Sequence, residues 1–195
     1  MTVVFDTNAL LMIIRPGAMV ARDAEGHQIT YAAERIDGLV KQLTAEKNKI
    51  VVPTPVLSEV LVRSEPTDRA AMVRRFHSST AFRIEAFDER AAIELADMEM
   101  KAIAGGDKRG GIDGPWTKVK FDRQIVAIAL IVGADVIYTD DGPLSKFAFK
   151  HGIRTVGIGS LPIPMAASQM TLPYESPKRR IKLDDEPAET EGRLA

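Results

Sequence analysis

The chain has 195 residues, 45% of them hydrophobic, and its 26 basic and 27 acidic side chains give a net charge of -1. This composition is typical of one folded domain with a real core, and the near-neutral charge excludes a general attraction to nucleic acid, so a polyanion would need a local basic patch. The absence of cysteine and the scatter of the three histidines exclude disulfides, zinc–thiolate sites and thiol nucleophiles, and leave oxygen as the ligand for any metal.

The first half of the chain alternates between apolar strand patterns and helical patterns. In chain order the pattern predicts a strand at 3–5, a helical turn at 9–14, a helix at 31–43, a strand at 49–52, a helix opened by Thr54 and Pro55, and a helix at 69–76. Residues 17–30 between the first two helices are mixed and polar.

The second half continues the alternation on both sides of a long loop. In chain order it predicts a helix at 89–103, a long glycine-rich loop at 104–120, an apolar helix from Asp122 to 132, a strand at 136–138, a helix at 144–150 and a strand at 155–158. Residues 164–195 have the composition of an extended tail with little core, which leaves 1–163 as the folded domain. Alternating buried strands and helices predict a three-layer α/β/α fold around a central parallel sheet of about four or five strands.

The N-terminus and the apolar runs indicate where in the cell the protein is expected. Asp6 interrupts the first apolar segment, and no basic stretch precedes it, which is unlike a secretory signal. The longest apolar run, at 125–134, is about half of the roughly 20 residues that a membrane helix requires. We therefore expect a cytoplasmic protein without a membrane partner.

Four carboxylate-bearing segments lie where a predicted strand ends or a predicted helix begins. Asp6 and Asp141 follow strands, whereas Glu59 and Asp122 open or nearly open helices. Loops at the carboxyl ends of parallel strands converge, so all four side chains can face one crevice. Clustered carboxylates near an apolar core repel one another unless a cation lies between them. The pattern therefore predicts a Mg²⁺ or Mn²⁺ site, of the kind that activates water for displacement at phosphorus.

These segments resemble the PIN domain (PilT N-terminus) family, and especially its VapC-like toxin ribonucleases. The resemblance rests on a strand followed by Asp6-Thr7-Asn8, a helix with Ser58-Glu59-Val60, the pattern Asp122, Ile125, Ala127 and Ala129, and a strand ending in Thr139 and Asp141. It covers roughly residues 1 to 160. The chain departs from a compact VapC in two insertions, residues 17–30 and 104–120, and in its tail.

The resemblance implies a PIN-like fold and a metal-dependent endoribonuclease that hydrolyses RNA phosphodiester bonds. Its catalytic acids would be Asp6, Glu59, Asp122 and Asp141; the metal ligands among them would be Asp6, Asp122 and Asp141, with Asp140 as an alternative fourth acid. Asn8 and Thr139 would orient those carboxylates or a bound water. The implied partners are single-stranded or structured RNA, a cognate antitoxin if the protein is a toxin, and a second copy in a homodimer.

Basic and aromatic residues near Asp122 are candidates for RNA contact. Trp116 offers a face on which a base can stack, and Lys118, Lys120 and Arg123 can neutralise phosphates. The same residues have ordinary roles: Trp116 can anchor its segment to the core, and the cations can simply face solvent.

Other functions remain open at this point. Asp6 and Asp122 can merely cap helices, and Glu59 can be a surface residue, in which case the chain is a catalytically weak RNA-binding or interaction module. A haloacid-dehalogenase-like phosphatase also begins with a strand and an Asp. That family needs a second Asp two residues later, where this chain has Asn8.

Overall fold

The computed structural model describes residues 1–17, 20–106, 109 and 115–165. Its centre is a five-stranded sheet in which every neighbouring pair of strands is parallel, in the order β3-β2-β1-β4-β5. The strands are β1 (Thr2–Phe5), β2 (Lys49–Pro53), β3 (Phe82–Glu85), β4 (Val136–Tyr138) and β5 (Arg154–Val156).

Helices follow the strands within the described part of the chain. They are α1 (Thr7–Ile14), α2 (Ala32–Ala45), α3 (Thr54–Val62), α4 (Arg69–Ser78), α5 (Glu89–Ala104), α6 (Trp116–Ile131) and α7 (Gly142–Lys150), and a short 3-10 helix at Ile158–Ser160 comes last.

The central strands are apolar on both faces, and this makes the sheet the middle of three layers. In β1, Val4 packs into one core with α3, α5, α6 and α7, whereas Val3 and Phe5 pack into a second core with α2. Alternate residues of a strand point to opposite faces, so a run such as Val3-Val4-Phe5 is buried only when both faces are covered. The predicted α/β fold with a parallel sheet is confirmed.

The strand at the far edge was missed by the sequence analysis. β3 pairs with β2 over Phe82 to Glu85, and its residues are half-buried or exposed. Because an edge strand on one side faces solvent, it lacks the continuous apolar run that marks β1, β2 and β4.

Two predicted boundaries are wrong. The predicted loop at 104–120 extends too far at its C-terminal end, because α6 begins at Trp116 and residues 116–120 are helical. Asp122 therefore lies in the second turn of α6 and not at its start. Thr54 does not cap α3; its hydroxyl accepts a hydrogen bond from the backbone N–H of Phe87 at 3.0 Å. Residues 107–108 and 110–114 of the predicted loop, and 166–195 of the predicted tail, lie outside the described residues.

The predicted insertion at 17–30 contributes to the core where it is described. Arg22 and Gln28 form an antiparallel bridge around a turn, and Ala21 and Ile29 on either side are buried in the α2 core. No helix within the described ranges has the length and apolarity needed to cross a bilayer.

Candidate metal centre

The predicted acids meet at the carboxyl ends of β1 and β4, the two neighbouring strands at the middle of the sheet. The chain leaves β1 toward β2 and leaves β4 toward β5, on opposite sides, and ligands of open α/β sheets bind at such a switch in strand order. A cavity of about 220 Å³ lies there. Its walls include Asp6, Thr7, Asn8, Glu59, Arg63, Lys118, Asp122 and Asp141.

Asp6 is the most buried acid of the cavity, with 4% of its surface exposed. Its Oδ1 caps α1 by accepting a hydrogen bond from the N–H of Ala9 at 2.7 Å, and its Oδ2 accepts one from the hydroxyl of Thr139 at 2.5 Å. Burial nevertheless dominates and raises the pKa of Asp6 to about 7, with the charges of Asp140 and Asp141 adding to the rise.

Asp122 projects into the cavity from the second turn of α6 and is 8% exposed. Burial raises the pKa of this carboxyl to about 6; the charge of Lys118 opposes the rise, while those of Asp141 and Glu59 add to it. Two buried carboxylates with raised pKa values make this a site where a cation is favoured.

Lys118 already supplies one cation. Its ammonium lies 3.1 Å from Oδ2 of Asp122 and 2.7 Å from Oδ2 of Asp141. Partial burial lowers the pKa of Lys118, but the hydrogen bond to Asp141 and the charge of Asp122 outweigh it and raise the pKa overall. The residue predicted to contact RNA phosphates therefore bridges two of the predicted catalytic acids.

Asp141 and Glu59 are held by neighbours at the cavity wall. Asp141 caps α7 by accepting a hydrogen bond from the N–H of Leu144 at 2.9 Å, and its own N–H donates to the hydroxyl oxygen of Thr139. The hydroxyl of Thr7 donates to Oε2 of Glu59 at 2.5 Å. Thr139 therefore contacts two of the acids, and Thr7 orients a third.

The donor chemistry fits a hard divalent cation, because the cavity wall offers carboxylate, hydroxyl and amide oxygens. The ammonium of Lys118 also lies where positive charge is favoured. The acids are not yet gathered around one point. Among the described residues no three Asp, Glu or His side chains are placed to hold a metal ion together. An ion held by both Asp122 and Asp141 would meet the ammonium of Lys118 there.

Asp140 is placed differently from its neighbour. Its Oδ1 accepts a hydrogen bond from the N–H of Ile158 at 2.8 Å, and together with Thr139 it lines a separate cavity of about 510 Å³. Asp141, not Asp140, is the acid from this segment that lines the cavity with Asp6, so we remove Asp140 from the candidate metal ligands.

Arg123 also requires a correction. It is 1% exposed, and its guanidinium lies 5.2 Å from the ring centroids of both Trp116 and Phe147, with Glu99 at 3.5 Å. A guanidinium buried against two aromatic rings is turned away from solvent, which counts against the predicted contact of Arg123 with RNA. Trp116 is half-buried in this stack, and Lys120 is exposed with its ammonium 5.7 Å from the indole.

The sequence analysis missed two residues of the cavity wall. Thr7 was passed over although it lies between Asp6 and Asn8, and its hydroxyl binds Glu59. Arg63, the C-cap residue of α3, lies four residues after Glu59, a spacing that places both on one side of the helix and was the available signal. Asn8 lines the cavity beside them.

Comparisons with known proteins agree with this architecture. No family model and no curated protein matches the sequence. A chain of DNA-bound VapBC from Salmonella typhimurium is 20% identical, with 81% of this chain and 98% of that chain covered and a TM-score of 0.53. A chain of VapBC2 from Rickettsia felis, solved with a DNA fragment from the promoter, is 16% identical. The match covers 80% of this chain and 98% of that chain, with a TM-score of 0.51. This chain shares their fold.

Proposed function

We propose that the protein is a Mg²⁺- or Mn²⁺-dependent endoribonuclease of the PIN type, which hydrolyses RNA phosphodiester bonds. The supporting observation is that Asp6, Glu59, Asp122 and Asp141, from four distant segments, line one cavity at the carboxyl ends of β1 and β4. The fold shared with chains of VapBC complexes supports the same proposal.

In this proposal Asp6, Asp122 and Asp141 hold the ion. A divalent ion bound there supplies a Lewis acid that activates water and stabilises charge on the leaving oxygen. Glu59 accepts a proton from the attacking water at Oε1, because Thr7 occupies Oε2. Arg63, exposed at the cavity rim, offsets charge on the incoming phosphate.

A nuclease assay with isosteric variants tests the proposal. Single-stranded RNA, structured RNA and DNA are incubated with the protein in Mg²⁺, Mn²⁺, Ca²⁺ or excess chelator. We expect cleavage of RNA in Mg²⁺ or Mn²⁺ and none in chelator. Asp141→Asn should abolish cleavage. Asp140→Asn is the matched control on the adjacent residue and should retain cleavage, because the amide oxygen of its side chain can still accept the hydrogen bond from the N–H of Ile158. Equal cleavage in chelator, or equal loss in both variants, would contradict the proposed centre.

We further propose that the protein is the toxin of a toxin–antitoxin pair, as its fold likeness to chains of VapBC complexes supports. Expression of the wild-type chain alone should then arrest growth, and expression of Asp141→Asn should not. Co-expression of a small protein encoded immediately upstream should restore growth and copurify with the chain. Light scattering of the purified chain would test the expected homodimer.

The alternative is an interaction module with little activity, and one observation favours it. Lys118 already forms ion pairs with Asp122 and Asp141 and offsets part of their charge, so the cavity can persist without a metal. Such a module would bind RNA or a protein equally well with and without divalent cations. A phosphatase mechanism is disfavoured because Asn8 stands where that family needs the second Asp.

A further inference from the structure

Lys118 is the basic residue that most directly engages the acidic cavity. It precedes Asp122 by four residues, so the two side chains lie on one face of α6, and its ammonium also reaches Asp141 at the start of α7. The three residues thus form a bridge between two helices. The Lys118 side chain is 48% exposed, whereas those of Asp122 and Asp141 are 11% and 25% exposed.

We propose that Lys118 is a built-in competitor of the divalent cation: its ammonium occupies the charge position between Asp122 and Asp141 in the metal-free protein, and it leaves when the ion binds. The proposal rests on the proposed metal centre and adds to it a residue that sets the affinity for the ion.

The competition follows from charge and geometry. The ammonium contacts Oδ2 of Asp122 and Oδ2 of Asp141, and an ion held by these two carboxylates would compete with it for the same pair of groups. One ammonium and one divalent ion cannot share these atoms, because like charges at contact distance repel strongly. Each equivalent of metal bound must therefore break two ion pairs, and the measured affinity is weakened by the free energy of those pairs.

The replacement of the Lys118 ammonium by a metal ion needs no movement of the helices. Lys118 is tethered by a flexible, half-exposed stem, so the ammonium can swing into solvent without moving α6. Asp6 cannot leave in this way, because it is buried and both of its oxygens accept hydrogen bonds. The metal would replace a mobile cation within a cavity whose deepest acid stays in place.

Calorimetric titration of Mn²⁺ into the full chain tests the competition. The test variant is Lys118→Met, which keeps the stem and removes the charge. We expect it to bind Mn²⁺ roughly ten-fold more tightly than the wild type, the factor given by two part-exposed ion pairs. Lys118→Arg, which retains a cation, should bind within a few-fold of the wild type. The matched control is Lys120→Met on the same helix, whose ammonium faces Trp116, and its affinity should not change.

Melting temperatures separate competition from a structural role. Without metal, Lys118→Met should melt below the wild type, because Asp122 and Asp141 then repel each other; in saturating Mn²⁺ it should melt at or above the wild type. An equal loss of melting temperature with and without Mn²⁺ would mean that Lys118 is only structural and would overturn the proposal.

The outcomes also distinguish this proposal from the proposed function. If wild type and Lys118→Met bind Mn²⁺ with equal affinity while RNA is cleaved, the competition by Lys118 is refuted and the nuclease stands. If neither binds Mn²⁺, the metal centre itself is refuted, and the role of Lys118 falls with it.

Discussion

The hydroxyl of Thr139 donates a 2.5 Å hydrogen bond to Oδ2 of Asp6, which joins the ends of β4 and β1 across 133 residues of sequence. The same hydroxyl oxygen accepts a hydrogen bond from the N–H of Asp141 at 3.0 Å. Thr139, with 2% of its surface exposed, thus links two acids of the cavity through one hydroxyl group.

We expect Thr139→Val to destabilise the protein by about 1–3 kcal/mol, because the isosteric change leaves Oδ2 of Asp6 and the N–H of Asp141 without their hydroxyl partner. Thr139→Ser retains the hydroxyl and is the control. Urea unfolding at a slightly alkaline pH in chelator measures both. If the two variants lose the same free energy, packing of the Thr methyl group and not the hydroxyl stabilises the site.

The raised pKa of Asp6 predicts how stability depends on pH. The folded carboxyl titrates at about 7 and the unfolded one at 3.8, so the folded state binds more protons between these values. The free energy of unfolding of the metal-free protein should therefore fall as the pH rises from about 4 to 7. Asp122, with a pKa raised to about 6, adds to the fall over the lower part of that range.

Asp6→Asn isolates this contribution, since Asn keeps an acceptor for the N–H of Ala9 and carries no charge. Between about pH 4.5 and pH 8 we expect the variant to gain roughly 2–4 kcal/mol of stability relative to the wild type. Urea unfolding in chelator at several pH values provides the measurement. Parallel profiles for the two proteins would show that Asp6 does not titrate in this range.

Asp122→Asn should separate activity from stability. The change removes a charge that burial disfavours, so the metal-free variant should be as stable as the wild type or more stable at about pH 8. Cleavage of RNA should fall at least about 100-fold, the lower range for loss of a group that acts directly in the transition state. Single-turnover assays and thermal melts on the same preparations check both parts. Retention of near-full activity would remove Asp122 from the catalytic set.

Lys120 remains a candidate for RNA contact, because it is exposed beside Trp116. In the Asp122→Asn background, Lys120→Met should weaken RNA binding and reduce the slope of log affinity against log salt by roughly one phosphate. The control is Lys41→Met on α2, away from the cavity, where Lys41 pairs with Asp37. Fluorescence anisotropy over a salt series measures the slopes; identical slopes for all three proteins would exclude the contact.

Much of the fold was predictable because its strongest signals are local. The apolar runs of β1, β2 and β4 are buried on both faces and stand out in the sequence, and the acids after β1 and β4 follow from where those runs end. The start of α6 was misplaced because Trp116, Lys118 and Lys120 directly follow a glycine-rich stretch of sequence. The first turn of this helix also mixes charged and apolar residues, so its helical periodicity is weak until the buried part begins.

The sequence by itself determined which residue types were available at the sheet edge: four carboxylates, hydroxyls and no thiol. Only the tertiary structure decided their roles. Asp140 and Asp141 are equivalent in the sequence, but Asp140 accepts a hydrogen bond from the N–H of Ile158, whereas Asp141 caps the start of α7. Arg123 and Lys118 are equally basic, yet one is buried against Phe147 and the other bridges Asp122 and Asp141. The reason is physical: the partner that fixes a polar side chain usually comes from a distant segment, so its position depends on how strands and helices pack and not on its neighbours in the chain.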